Sequence, residues 1–389
     1  MKETALDNWI YERKGYYMRT KLKMRLSMLL AILMIFQYST VSAIETKDIK
    51  VYDLQTAIDT AITNSNSLKL YDEKIKNADD IYKRYYDLSV IAESKSAVND
   101  YQMIENKKEE LVYPEQKKND LNNLKYQKQN KIIDIKLNVT ESYFTLLSIE
   151  KQITYQKGLI SRLEADLKVK KNDVKLGRSV ESAVTEIELD IKKANNALVQ
   201  LNREEEKSKM SLNSLLGRQI TEEIQIKDMD VPEIEYENID IKAIIEDRQK
   251  NNNKIKDIKF QIEQAKLEAE IVEENTNRED PVELDSLEDV KLNQEYALKD
   301  ELISIEKYIY QQNNTILNLK DEIDIKSLNK EICEKNLEIA QEKLRLGLMS
   351  KSALNAVIDA AEQANIDYLK SKLNYYLEVQ KFNAYIEKQ

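Results

Sequence analysis

The chain has 389 residues, with 60 Lys/Arg against 70 Asp/Glu, a net charge of −10, no histidine, and only five glycines, three prolines and one cysteine. So little turn punctuation excludes a strand-rich fold and suits long solvated helices. The acidic balance argues against nucleic acid and anionic membrane surfaces as partners, the missing histidine removes His-based bases and metal sites, and the lone Cys333 excludes an intrachain disulfide.

The first predicted element is a secretory leader at 1–43. Arg19, Lys21, Lys23 and Arg25 precede the apolar run Leu26–Phe36, and Val41 and Ala43 are placed for cleavage. The run is too short to span a bilayer as an ordinary helix, so export and cleavage after Ala43 are expected, with an uncleaved anchor as the alternative. Met18 or Met24 would open a more ordinary signal than Met1.

A leading helix is expected over 53–88, with Leu54, Ala57, Ile58 and Ala61 on one face and Asn64 and Asn66 ten residues in. An irregular, mostly polar stretch at 93–116 follows and holds Pro114. A sustained heptad then runs through Ile132, Ile135, Val139, Ser142, Leu146, Ile149, Ile153, Gln156, Ile160, Leu163, Leu167, Lys170 and Val174. A 3.5-residue spacing held this long predicts a coiled-coil arm from about 120 to 176. The arm ends at Gly177, which supplies a left-handed residue, and Ser179 or Ser182 is the candidate N-cap of a returning helix. A linker at 218–239, marked by Gly217 and Pro232, carries an expected short strand around Ile224 and Ile226.

The pattern then repeats. Ile241, Ile244 and Ile245 open a second leading helix with its own cluster, Asn251 to Asn253; an acidic stretch at 273–289 holds Pro281. Adding 170 to each seam position gives a second seam, Leu302 through Leu344, that lands on Gly347, with Ser350 or Ser352 as candidate N-cap. The segments 175-KLGRSVESAVTEIELDIKKAN-195 and 345-RLGLMSKSALNAVIDAAEQAN-365 share Leu, Gly, Ser, Ala, Ala and Asn at matching places. This is an internal duplication: an all-α fold of elongated coiled-coil hairpins in two tandem copies, 44–217 and 240–389. Cys333 stands on the seam where Leu163 stands in the other copy, and is expected to pack rather than react. Asn195 and Asn365 are expected to fix helix register. The acidic run 279–289 lacks the spacing and glycine of a calcium loop, and the glycines are too isolated to cradle a phosphate. No catalytic, cofactor or metal site is expected.

The opening 51-VYDLQTAIDTAITNSNSLK-69, the two turn segments, the helix-ending 212-LNSLLG-217 and the duplication, in this order and spacing, resemble the TolC-like outer-membrane efflux factors over about residues 51–387. The resemblance implies a homotrimer whose long helices form a tunnel, with an inner-membrane efflux pump and a periplasmic adaptor docking at the hairpin tips. Those tips would be Leu176, Gly177, Arg178 and Ser179, and Leu346, Gly347, Leu348, Met349 and Ser350, with Leu348 and Met349 as exposed adaptor contacts. It also implies two barrel hairpins per copy at the breaks that here hold Pro114 and Pro281. Neither break has the alternation of a transmembrane strand, so barrel strands are expected to be absent or vestigial. Two further departures are Ala183 and Ala353, where the family often has Asp, and Ser67, where Pro is frequent. The expected function is an envelope export component, a helical conduit or docking element rather than an enzyme. The alternative is an exported coiled-coil interaction protein that kept the fold and lost transport.

Overall fold

The computed structural model describes residues 50–236, 239–276 and 282–388, with one body running from Val51 onward. The expected leader at 1–43 and Pro281 lie outside the described residues. In chain order the elements are β1 Val51–Tyr52, α1 Leu54–Asn64, α2 Asn66–Ala92, α3 Asp100–Leu111, α4 Tyr113–Lys175, α5 Glu181–Leu215, β2 Gln225–Ile226, α6 Ile241–Asn251, α7 Asn253–Asn275, α8 Val282–Arg345 and α9 Lys351–Glu387. The strands pair in parallel, Val51 opposite Gln225 and Tyr52 opposite Ile226, and the described residues contain no barrel. None of the described helices is long and apolar enough to cross a membrane. The architecture is the doubled, all-α hairpin read from the sequence.

The duplication is visible in the helix starts. Asp53 caps α1 by accepting from Thr56 N at 2.7 Å, and Asp240 caps α6 by accepting from Ala243 N at 3.1 Å. Each leading helix, read from the sequence as continuous, breaks after eleven residues. Ser65 and Asn252 leave helical geometry there, and their side chains cap α2 and α7. The clustered asparagines therefore mark a restart of the helix.

The stretch 93–116, expected to be irregular, is largely helical. Asn99 caps α3 through Gln102 N at 2.9 Å, and Pro114 occupies the first turn of α4, where its missing N–H costs nothing. In the second copy the acidic residues after 281 already belong to α8. The arms α4 and α8 contain 63 and 64 residues, each about 95 Å at 1.5 Å per residue.

Each copy has its own core. In the first, Val139, Tyr143 and Leu146 of α4 meet Ala57, Ala61, Leu212, Leu216 and Ile224. In the second, Ile305, Ile309 and Ile316 of α8 meet Ile245, Ile255, Val379 and Phe382. A third cluster joins them: Phe144 and Leu147 of α4 against Leu373, Tyr376 and Leu377 of α9, covered by Met229, Val231 and Ile234 of the linker. The linker is anchored by Tyr143, whose hydroxyl donates to Lys227 O at 2.7 Å, with Tyr52 O 3.1 Å away. Phe382 is fully buried, so its truncation to Ala removes about 3–5 kcal/mol. Cys333 is half-buried on the α8 seam.

Candidate functional site

Both hairpin tips are the same backbone device. After α4, Gly177 N donates to Val174 O at 2.9 Å and Arg178 N to Asp173 O at 2.8 Å; after α8, Gly347 N donates to Leu344 O at 2.9 Å and Leu348 N to Lys343 O at 2.8 Å. These paired bonds form a Schellman motif, which satisfies the last carbonyls of the helix and needs a left-handed residue. Gly177 and Gly347 both have φ of 72°. A Cβ at either would meet nothing within 4 Å, so backbone conformation alone demands glycine.

The capping expectation divides between the copies. Ser350 caps α9 by accepting from Ala353 N at 3.1 Å. In the first copy neither Ser179 nor Ser182 caps: the cap position is Val180, whose side chain forms no cap bond. Leu348 is 73% exposed, and Leu176, Arg178 and Leu346 are also exposed, whereas Met349 and Ser179 are half-buried. The expectation of an exposed Met349 is therefore corrected. Val180, which sequence reasoning passed over, adds another exposed apolar group.

Just behind the tips the two hairpins are tied together. Arg162 on α4 donates through Nε to Asp359 Oδ1 at 2.6 Å and through Nη2 to Glu362 Oε2 at 2.5 Å, both on α9. One turn further toward the tip, Asp166 accepts from Asn355 Nδ2 at 2.9 Å and Ser352 Oγ at 3.1 Å. Burial pushes the Asp359 carboxyl above the usual aspartate range, and Arg162 only partly offsets this. Burial also works against the charge of Arg162, but its bonds to Glu362 and Asp359 outweigh that and hold its pKa above the ordinary value. The expected register role of Asn195 is not realised, because it is exposed and donates to Ile191 O of its own helix. Gln156, a polar seam residue, instead donates across the pair to Ala194 O at 2.9 Å.

The lateral faces differ. On α8 an inward stripe forms the core, while Ile303, Tyr310, Leu317, Ile325, Leu328, Ile332 and Ile339, with Leu346 just past its end, are exposed. Except for Leu328, these lie in steps of seven with a single step of eight, from Leu317 to Ile325, so they track one face of a nearly straight helix. Helix α8 packs on α9, α7 and α6, and α5 packs mainly on α4, which leaves α8 and α5 as the edges of the tip-proximal layer.

Twin glycine tips, a tie behind them and paired long hairpins define a doubled helical-hairpin protein. No family model matches the sequence, and no curated protein matches it. Solved structures do: the Campylobacter jejuni CmeC outer membrane channel, with a TM-score of 0.64 at 12% identity over 86% of this chain and 85% of that one; the Vibrio cholerae outer membrane protein VceC, with 0.61 at 11% identity over 85% and 95%; and the open-state Neisseria gonorrhoeae MtrE outer membrane channel, with 0.59 at 12% identity over 86% and 88%. At such identities the likeness establishes the fold. The resemblance to the TolC-like outer-membrane channels holds in the architecture, here without a barrel among the described residues.

Proposed function

We propose that the chain is an envelope export component, a helical conduit or docking element that assembles as a homotrimer and works with a membrane efflux pump and an adaptor-type protein. The leader at 1–43 would export it, 44–217 and 240–389 would be the two repeats, and 218–239 the linker between them. The observation that carries this reading is the outer stripe of α8. Each buried large apolar side chain contributes roughly 1.5–3 kcal/mol, so covering the six of this face from Ile303 to Ile339 yields on the order of 10 kcal/mol, comparable with the cost of associating rigid bodies. An edge-to-edge neighbour that places its own α5 there would cover them.

At the tips, Leu176, Gly177, Arg178, Ser179, Leu346, Gly347, Leu348, Met349 and Ser350 would form the docking surface. The reading is non-enzymatic. Its test is photo-crosslinking in intact cells from an unnatural residue at Leu348, with one at exposed Leu70 as control. Adducts identified as a pump or adaptor subunit, from Leu348 alone, support the reading; adducts of the same proteins from both positions, or none, refute it. The second reading, an exported coiled-coil interaction protein that kept the fold and lost transport, draws on the helical path of α3 and the start of α4, where the resemblance implies a barrel hairpin; it requires neither trimer nor pump.

A further inference from the structure

The duplication contains its own control experiment, because two residues that line a polar cleft in the second copy have different surroundings at the matching positions of the first. Aligned on the capping breaks Ser65 and Asn252, Arg248 stands where the first copy has Ala61, and Asn253 where it has Asn66. Ala61 is core and Asn66 is exposed. Arg248 and Asn253 are instead 4% and 8% exposed. They line a cleft of about 380 Å³ between the α6–α7 junction and α4, closed at one side by Tyr385 and Lys388.

Among the described residues, several polar atoms of this cleft have no partner. Arg248 Nη1 donates to the carbonyls of Ile386 and Lys388, and the guanidinium carbon lies 5.0 Å from the Tyr385 ring centroid. Its Nε is buried without a partner, as are both Nδ2 and Oδ1 of Asn253. Among the described residues Arg248 forms no ion pair. The carboxylates nearby are engaged: Asp257 accepts from Asn119, Asn123 and Gln261, Glu301 pairs with Lys254, and Asp134 with Lys388. Capping the end of α9 does not by itself require an arginine, since in the first copy Asn64 Nδ2 donates to Leu216 O at 2.8 Å at the matching helix end. The cleft also lies at the N-terminus of the 23-residue α7, where the helix dipole favours negative charge.

We propose that this cleft binds the terminal residue of a short peptide with a free carboxylate. The carboxylate answers the buried cation and the helix N-terminus. The amide beside it offers one N–H and one C=O, which answer the Asn253 Oδ1 acceptor and one of the two N–H groups of its Nδ2. A plain carboxylate would leave the Asn253 acceptor unsatisfied, and a sugar would leave the charge of Arg248 unanswered. The volume suits a small ligand. The inference is independent of the conduit reading.

The test is calorimetric titration of the purified protein with N-acetyl-Ala-Ala and with its C-terminal amide. The expected result is one-to-one binding of the acid with Kd below about 1 mM, and at least tenfold weaker binding of the amide. N-acetylalanine separates a single acylated amino acid from a longer peptide end, and weaker binding by it assigns the second residue to the site. Asn253→Asp, which places a carboxylate beside Arg248, should abolish binding while raising Tm. Asn66→Asp, its counterpart in the first copy, should leave binding unchanged. No binding of the acid, equal binding of acid and amide, or equal loss in the two variants would overturn the proposal.

Discussion

Replacing Arg162 with Met tests the tie between the hairpins. The Arg162 side chain is 17% exposed, and those of Asp359 and Glu362 are 24% and 42% exposed. Removing one partner of a fully buried pair costs about 3–5 kcal/mol, whereas an exposed pair contributes at most about 1 kcal/mol. Solvent screening at Glu362 places this site between those limits, so Arg162→Met should cost about 1–2 kcal/mol, or a fall of about 2–6 °C in Tm. Asp359 supplies the pH signature. Burial already holds its folded pKa above the ordinary aspartate value, and losing Arg162 raises it further. A carboxyl with a raised folded pKa binds its proton preferentially in the fold, so its penalty grows as pH rises above the ordinary aspartate value and vanishes below it. The variant's deficit against wild type should therefore be larger at pH 7 than at pH 4.5, and Arg162→Met/Asp359→Asn should recover part of it at pH 7. Thermal unfolding at both pH values, with hydrogen exchange over 159–170 and 352–366, reads this out. Equal deficits at both pH values, or new exchange confined to regions away from those segments, would refute the reasoning.

The glycines should separate by mechanism. Gly347→Ala meets only a left-handed backbone and should cost about 1–2 kcal/mol, while Gly217→Ala should cost more, because its Cβ would lie 2.8 Å from Asn64 Cβ; urea unfolding of the two variants checks the order. Tyr143→Phe leaves the linker carbonyl of Lys227 without its donor and should cost about 1–3 kcal/mol, again by urea unfolding. Burial also pushes the Tyr143 phenol up to about 12, so wild-type stability should fall as pH rises from about 10 to 12, and less steeply in Tyr143→Phe; an equal alkaline slope would contradict this. Ile325→Asp/Ile332→Asp places charge on the outer stripe of α8 and should dissociate the proposed homotrimer while leaving helix content by circular dichroism unchanged.

The long-range plan was legible because a few physical signals dominate it. A seam held at 3.5 residues can only be a packed long helix, and an isolated glycine at its end can only be a turn. What periodicity missed is the number of faces an element buries. Helix α4 buries the seam residues Val139 and Leu146, but also Tyr143, Phe144 and Leu147 against the β-strand pair and α9; a single-face reading leaves these out. The breaks at Ser65 and Asn252 were hidden because apolar spacing continues across them, although the asparagine clusters were the available sign. Helix α3 was missed because a polar segment shows no core face. At the site, the tip glycines stood out in a chain with only five. The Arg162 tie did not, since one more charge is no signal when a third of the chain is charged and the partners lie nearly 200 residues apart.

In the proposed homotrimer the exposed face of α8 is the edge between neighbouring chains. Size-exclusion chromatography with light scattering on residues 44–389, in detergent-free buffer, measures this. The expected mass is three times that of one chain, falling to one chain in Ile325→Asp/Ile332→Asp. A wild-type protein that remains a single chain at every concentration would contradict it.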